Sequence, residues 1–172
     1  MATVQKNSRP HMVSGTDLAS LPVTCRTVVP AEYRDEMGHM NVMWYAHLFA
    51  EATRGLFVDF GMTADYFETS EAGAFALESH TRYVAEIRVG DDLTIRTRVL
   101  GRSAKRFHAM HFMICDRDDR LSATLELIRA HIDMTTRRTS VFSDAVAQEI
   151  DVIAKSHSAL TWTAPECGIM SP

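Results

Sequence analysis

The chain has 172 residues, 46% of them apolar and 23% charged, which suits one globular domain with a fair core and leaves too little for a second. A net charge of −4 and a pI near 6.0 exclude the broad basic face that general nucleic-acid binding needs, so no nucleic-acid partner is expected. Cys25, Cys115 and Cys167 are odd in number and widely spaced, predicting neither a disulfide framework nor a C-x-x-C metal or redox motif and fitting a reducing, cytoplasmic setting.

Residues 1–21 have mixed polarity, no period and no apolar run of signal-peptide length, and read as an arm outside the core. Nothing in the chain approaches the ~20 apolar residues of a membrane helix, so a soluble protein is expected. The domain proper spans residues 22–160, and residues 161–172 form an apolar-flecked tail. Residues 23–29 (V-T-C-R-T-V-V) are β-rich and stop at Pro30, which cannot donate to a ladder.

Residues 35–61 organise the rest. Asn41 is a preferred N-cap, and from Val42 the apolar residues Tyr45, Leu48, Phe49, Ala52, Leu56 and Phe60 recur at three- and four-residue steps. That spacing predicts one amphipathic helix, stopped by Gly61 and roughly 28 Å long. Residues 62–73 are acidic and turn-prone, with a short helix expected at 64–67 and a lid as one possible role.

Residues 74–89 alternate with period two, the odd positions running Phe75, Leu77, Ser79, Thr81, Tyr83, Ala85, Ile87 and Val89 against charged even ones such as Glu78, Arg82, Glu86 and Arg88, which predicts one long half-buried strand bent near Ala85. Gly90-Asp91-Asp92 is a turn, and residues 93–100 alternate again. Residues 106–115 are apolar on both faces, as for a central strand covered on both sides. A charged hairpin at 116–120 leads to a strand at 121–134, and Ser143 caps a last helix from Asp144 to about His157. Four successive strands joined by tight turns pair antiparallel, and a lone long helix must pack on their concave face. The fold class expected is α+β, an antiparallel sheet wrapped around one central helix.

The loop before the helix carries the chemistry. Helix N-terminal amides are unpaired and sit at the positive end of the macrodipole. Asp35 can share a site with them if Gly38 turns the chain back, setting a carboxylate beside donors for a developing oxyanion. The plain alternative is an Asx-turn residue ahead of a helix.

The run Asp35-x-x-Gly38-His39-x-Asn41, followed by Tyr45 and the long helix, resembles the signature of hotdog-fold acyl-CoA thioesterases of the 4-hydroxybenzoyl-CoA thioesterase type. The resemblance extends over about residues 23–133. It implies Asp35 as the catalytic carboxylate and the backbone N–H near Val42 as the donor to the thioester carbonyl. Many members carry a second Asp where this chain has Tyr33. Within the likeness, residues 104–111 (Ala-Lys-Arg-Phe-His to His111) and 131–133 most resemble the betainyl-CoA thioesterases of carnitine breakdown. The resemblance implies an acyl-CoA substrate, no cofactor beyond the coenzyme A of the substrate, and a homodimer or homotetramer.

A carboxylate can cleave a thioester by attacking its carbonyl or by acting as base on water, and the sequence leaves both open. Either route needs amide donors, with those of Asn41 to Met43 as candidates. His39 can orient a water or the Asp, or simply bond backbone. Asn41 is a cap that also borders the substrate, and Glu51 is a carboxylate on the helix. His108 and His111, three apart on a strand, point to opposite faces and do not share a metal ion; no metal is expected. By resemblance His80 and Thr81 form the far wall of a dimeric site. Arg102, Lys105 and Arg106 are either a solvated hairpin tip or the holders of coenzyme A phosphates. Trp44 and Tyr45 are core by default, and Trp44 is the first choice for caging a trimethylammonium. Two other readings compete with hydrolysis: a hydratase or dehydratase on the same fold, and a protein that binds acyl-CoA without turnover.

Overall fold

The computed structural model describes residues 13–172; residues 1–12 of the expected arm lie outside the described residues. The chain opens with the short helix α1 (Gly15–Leu18), closed by a capping box between Ser14 and Asp17. Strand β1 (Val23–Val28) ends just ahead of Pro30, and a 3-10 turn (Ala31–Tyr33) enters the loop before α2 (Val42–Asp59). The Asn41 side chain accepts from Met43 N–H, as a cap should, and the helix buries Tyr45, Leu48, Phe49, Ala52, Thr53 and Leu56 on one face. It stops at Gly61, whose φ of 73° suits glycine.

Helix α3 (Ala64–Thr69) is capped by Thr63, and β2 (Ala72–Tyr83), β3 (Asp92–Arg102), β4 (Arg106–Cys115) and β5 (Arg120–Asp133) follow. A two-residue strand β6 (Arg138–Thr139) precedes α4 (Asp144–Ser158), capped by Ser143 as expected. All pairings are antiparallel, in the order β1-β3-β4-β5-β2, with β6 on the end of β5. The sheet curls around α2, and the α+β hotdog architecture is the one expected. Along α2, Tyr45 to Ala52 pack with Leu93, Ile95, Met113 and Ala123, while Leu56 and Phe60 meet Val99, Phe107 and Leu127 together with Val146 and Ile150 of α4. Gly55 lets the helix touch β1: a Cβ there would lie 2.2 Å from the Thr24 carbonyl oxygen. No described helix is long and apolar enough to cross a membrane.

Three expectations are corrected. The strand at 74–89 is two segments: β2 ends at Tyr83, and residues 84–91 leave the sheet, so that β2 pairs with β5 instead of forming a hairpin with β3. The departing segment is held elsewhere, with Ile87 wholly buried and its carbonyl accepting from Met40 N–H at 2.8 Å. Second, β2 carries a bulge at Leu77, the residue skipped between the Ala76 and Glu78 pairings. The extra residue reverses the facing, so Phe75 (opposite Ala130) and Tyr83 (opposite Ala123) lie on opposite faces despite their shared parity.

Third, the arm and tail are not free of the core. Val13, Leu18 and Leu21 pack with Ala164, Leu160 and Trp162 over Met110, Phe112 and Ile114 on the outer face of the sheet. That cover is why β4 reads apolar on both faces.

Candidate active site

The loop between β1 and α2 folds as a small closed hairpin. Arg34 and Met40 bridge, Asp35 N–H donates to the His39 carbonyl at 2.8 Å, and Gly38, at φ 90°, supplies the turn. Asp35 Oδ1 accepts from Met37 N–H at 2.8 Å and from His39 N–H at 3.1 Å. The Asx-turn reading is therefore correct for one oxygen. Among the described residues, no donor takes Oδ2. The carboxylate is half-buried and lines an open cleft of about 610 Å³ with Arg34, Glu36, Met37 and Asn41.

The start of α2 forms the other side of this region. Asn41 N–H donates to the Tyr33 carbonyl at 2.8 Å, and Met43 N–H to Asn41 Oδ1 at 3.0 Å. Of the three amides expected as oxyanion donors, two are thus engaged, and Val42 N–H is the one without an acceptor among the described residues. The His39 ring is engaged by Glu86, with Nε2 2.6 Å from Glu86 Oε2, so His39 holds Asp35 through its backbone N–H and carbonyl. Glu86 is kept below the ordinary carboxylate range first by its bond from Arg88 and then by the nearby charges of Arg88, His39 and Arg120. The link between Glu86 and the site was not readable from the sequence, because residues 84–89 were assigned to a strand.

Trp44 is half-buried and stacks on Tyr33 with centroids 3.8 Å apart and planes 8° apart, and the His47 ring stands at right angles to Trp44 at 5.5 Å. Tyr33, in the place of the second Asp of many resembling sequences, is thus a partner of Trp44. Tyr45 is a core residue, edge-on to Tyr83 at 5.1 Å, and burial raises its phenol pKa. His80 and Thr81 do not form one wall: His80 pairs across to buried Glu126 on the outer face, Thr81 to Leu125 on the inner. Glu51 is paired with Arg54.

The basic cluster is divided. Arg102 is bidentate to Asp151 of α4, at 2.8 and 2.6 Å, and Lys105 Nζ donates to the Thr139 carbonyl at 3.3 Å. Arg106 is exposed and, among the described residues, has no side-chain partner. Of the three, only Arg106 is unengaged for an anion.

His108 and His111 do face opposite ways. On the inner face, His111 Nδ1 lies 2.6 Å from Thr97 Oγ1 and Nε2 lies 3.0 Å from Thr53 Oγ1. Thr53 donates to the Phe49 carbonyl, and Thr97 continues to Thr24 at 2.7 Å, so this chain of hydroxyls ties α2 to three strands. Burial pushes the His111 pKa down to about 3. On the outer face, His108 Nε2 lies 2.9 Å from Glu126 Oε1, and Cys167 N–H donates to Glu126 Oε2 at 2.6 Å. Glu166 completes a trio with ligand atoms within 4.8 Å of one another. Glu126 is already satisfied on both oxygens, and Arg82 and Arg98 bond tail carbonyls beside it. The arrangement latches the tail to the sheet.

Residues 29–150 match the thioesterase-like superfamily. The chain is 33% identical over 117 residues to the L-carnitine dehydrogenase/betainyl-CoA thioesterase of Agrobacterium fabrum, a match covering 68% of this chain and only 24% of that longer protein. It is 27% identical over 143 residues to the betainyl-CoA thioesterase of Pseudomonas aeruginosa, covering 83% of this chain and 90% of the relative. A Staphylococcus aureus protein solved in complex with CoA superposes with a TM-score of 0.79 at 23% identity, over 88% of this chain and 96% of that one. The chain belongs to the thioesterase-like superfamily and has its hotdog fold.

Proposed function

We propose that the protein hydrolyses a small acyl-CoA, with betainyl-CoA as the substrate class, to the free acid and coenzyme A. The observation that carries the reading is the division of labour at Asp35: one oxygen is fixed by two amides, and the other is unengaged in a cleft it shares with the capped start of α2. In this reading the thioester oxygen rests on Val42 N–H. The free Asp35 oxygen either attacks the carbonyl carbon, expelling the coenzyme A thiolate and leaving a mixed anhydride that water then hydrolyses to the free acid, or takes a proton from the attacking water and returns it to the departing thiolate. Asn41 holds the helix start in place, and His39 serves through its backbone.

Similarity to the betainyl-CoA thioesterases supports this acyl specificity, as does the half-buried Tyr33–Trp44 pair, a π surface suited to a trimethylammonium. Arg106 is the residue available for a coenzyme A phosphate. The protein acts as a homodimer or homotetramer in the cytoplasm, a setting in keeping with the free thiols of Cys25, Cys115 and Cys167. A thiol-release assay across a panel of acyl-CoAs, run on the wild type and Asp35→Asn, tests the reading. Hydrolysis led by betainyl-CoA and lost in the variant is expected. Undiminished turnover in the variant removes Asp35 from the chemistry, and hydration of an enoyl-CoA without thiol release places the protein among the hydratases.

A further inference from the structure

At the far end of α2, Phe57 lies fifteen residues beyond Val42, roughly 22 Å along the helix axis. There α2, α3 and the start of β2 enclose a second cleft of about 460 Å³. Phe57, Val58, Met62, Phe67, Ala72 and Ala74 make its walls mainly apolar, and Arg54, already paired with Glu51, stands among the lining residues.

Beside this cleft is a cation with no ion-pair partner among the described residues. Arg129 sits on β5 opposite Ala76, two residues from His131, which faces Ala74 of the cleft wall. Its guanidinium carbon is 5.9 Å from the centroid of the Phe57 ring, the same ring that lines the cleft. Among the described residues no carboxylate pairs with Arg129, and its Nε is buried without a hydrogen-bond partner. A guanidinium set among apolar groups and left unpaired is costly, and an aliphatic residue would fill the place at less cost. The surroundings resist the charge, lowering the Arg129 pKa through burial. A carboxylate is the group that would balance such a charge. The adjoining space is apolar and of a size that takes a small organic ligand, and the small side chains of Ala72, Ala74 and Ala76 leave room on the β2 side.

We propose that this cleft binds an amphipathic carboxylate, its aliphatic chain against Phe57, Met62 and Phe67 and its carboxylate on Arg129. The site is separate from the Asp35 cleft and does not depend on the hydrolytic reading.

The test is calorimetric titration of the full chain with octanoate and octanol, below their aggregation and solubility limits. The proteins are the wild type, Arg129→Met, Ala74→Leu and Asp35→Asn. Saturable octanoate binding to the wild type is expected, weakened about tenfold or more in Arg129→Met, as for loss of a charge-assisted hydrogen bond. Ala74→Leu, which leaves Arg129 intact and fills the cleft floor, should weaken it as much and carries the test alone if Arg129→Met does not fold. Asp35→Asn should bind octanoate like the wild type, and octanol, which has the chain without the charge, should bind the wild type at least tenfold more weakly than octanoate does. The proposal is overturned by absent octanoate binding, by undiminished affinity in Arg129→Met or Ala74→Leu, by equal affinity for octanol, or by loss of binding in Asp35→Asn, which would put the carboxylate in the other cleft.

Discussion

Acid should loosen this protein through His111. The ring is fully buried between Thr97 and Thr53, and its pKa is pushed down to about 3. In the unfolded chain the same ring takes up a proton near pH 6.5. Between these two values the unfolded state binds more protons than the folded one, so stability falls as the pH drops through that window. From pH 7 to 4.5 this one residue should cost the wild type about 2.5 kcal/mol, a slope approaching 1.4 kcal/mol per pH unit. His131 and His157 are shifted in the same direction by burial, so the wild-type curve alone does not isolate His111. His111→Gln does, because the amide does not titrate. The variant should start about 1–3 kcal/mol less stable at pH 7, having disturbed a buried hydroxyl chain. Its stability should then decline more gently, so that the two converge near pH 4.5. Urea unfolding at pH 7, 5.5 and 4.5, at one fixed protein concentration and with m-values checked for constancy, reads this directly. Parallel declines for the two proteins would refute a neutral buried ring.

Gly55→Ala gains helix propensity of about 1 kcal/mol yet forces a Cβ against the Thr24 carbonyl; a net loss of about 1–2 kcal/mol in urea unfolding is expected, and a gain would mean that α2 is not seated on β1. Trp44→Leu, which keeps an apolar contact but removes the π face, should lower kcat/KM for betainyl-CoA about tenfold and that for its uncharged isostere tert-butylacetyl-CoA much less. Equal losses on both substrates would mark Trp44 as a shaping residue alone. Arg129→Met, which removes an unpaired and partly buried cation, should raise the unfolding midpoint of the ligand-free protein by about 1 kcal/mol in stability. A lowered midpoint would show that Arg129 has a balancing partner.

The elements that follow a local rule were legible. Asn41 as cap, the three- and four-residue spacing through Phe60, and Gly61 as stop define α2 without any tertiary information. Strand pairing has no such local mark. Residues 74–89 keep their alternation through the Leu77 bulge and beyond Tyr83, where the chain has already left the sheet, because alternation records the parity of burial and not the partner. The outer-face cover was half legible. Residues 106–115 announced that both faces are buried, but the residues doing the covering, Leu18, Leu21, Trp162 and Ala164, are too sparse to form a period. At the site, the Asp35 loop and Asn41 were legible through turn and cap chemistry. Tyr33 on Trp44 and Glu86 on His39 were not: the first depends on how the loop between β1 and α2 closes, with Asn41 N–H on the Tyr33 carbonyl, and the second on where the crossover from β2 to β3 runs.

The turn role and the chemical role of Asp35 differ at the level of single oxygens, and that difference can be measured. Oδ1 closes the loop by accepting from Met37 and His39, while Oδ2 has no donor among the described residues. Asparagine can keep an acceptor oxygen at the first position and place an uncharged NH2 at the second. Alanine removes both. If the loop geometry rests on Oδ1, Asp35→Asn should unfold within about 0.5 kcal/mol of the wild type and Asp35→Ala about 1–2 kcal/mol below it, the usual cost of leaving buried or half-buried donors unanswered. If thioester cleavage rests on the charge at Oδ2, the two variants should be equally inactive despite that gap in stability. A graded loss, with asparagine retaining activity in proportion to its stability, would mean that the loop's shape and not the carboxylate's charge is what the reaction uses.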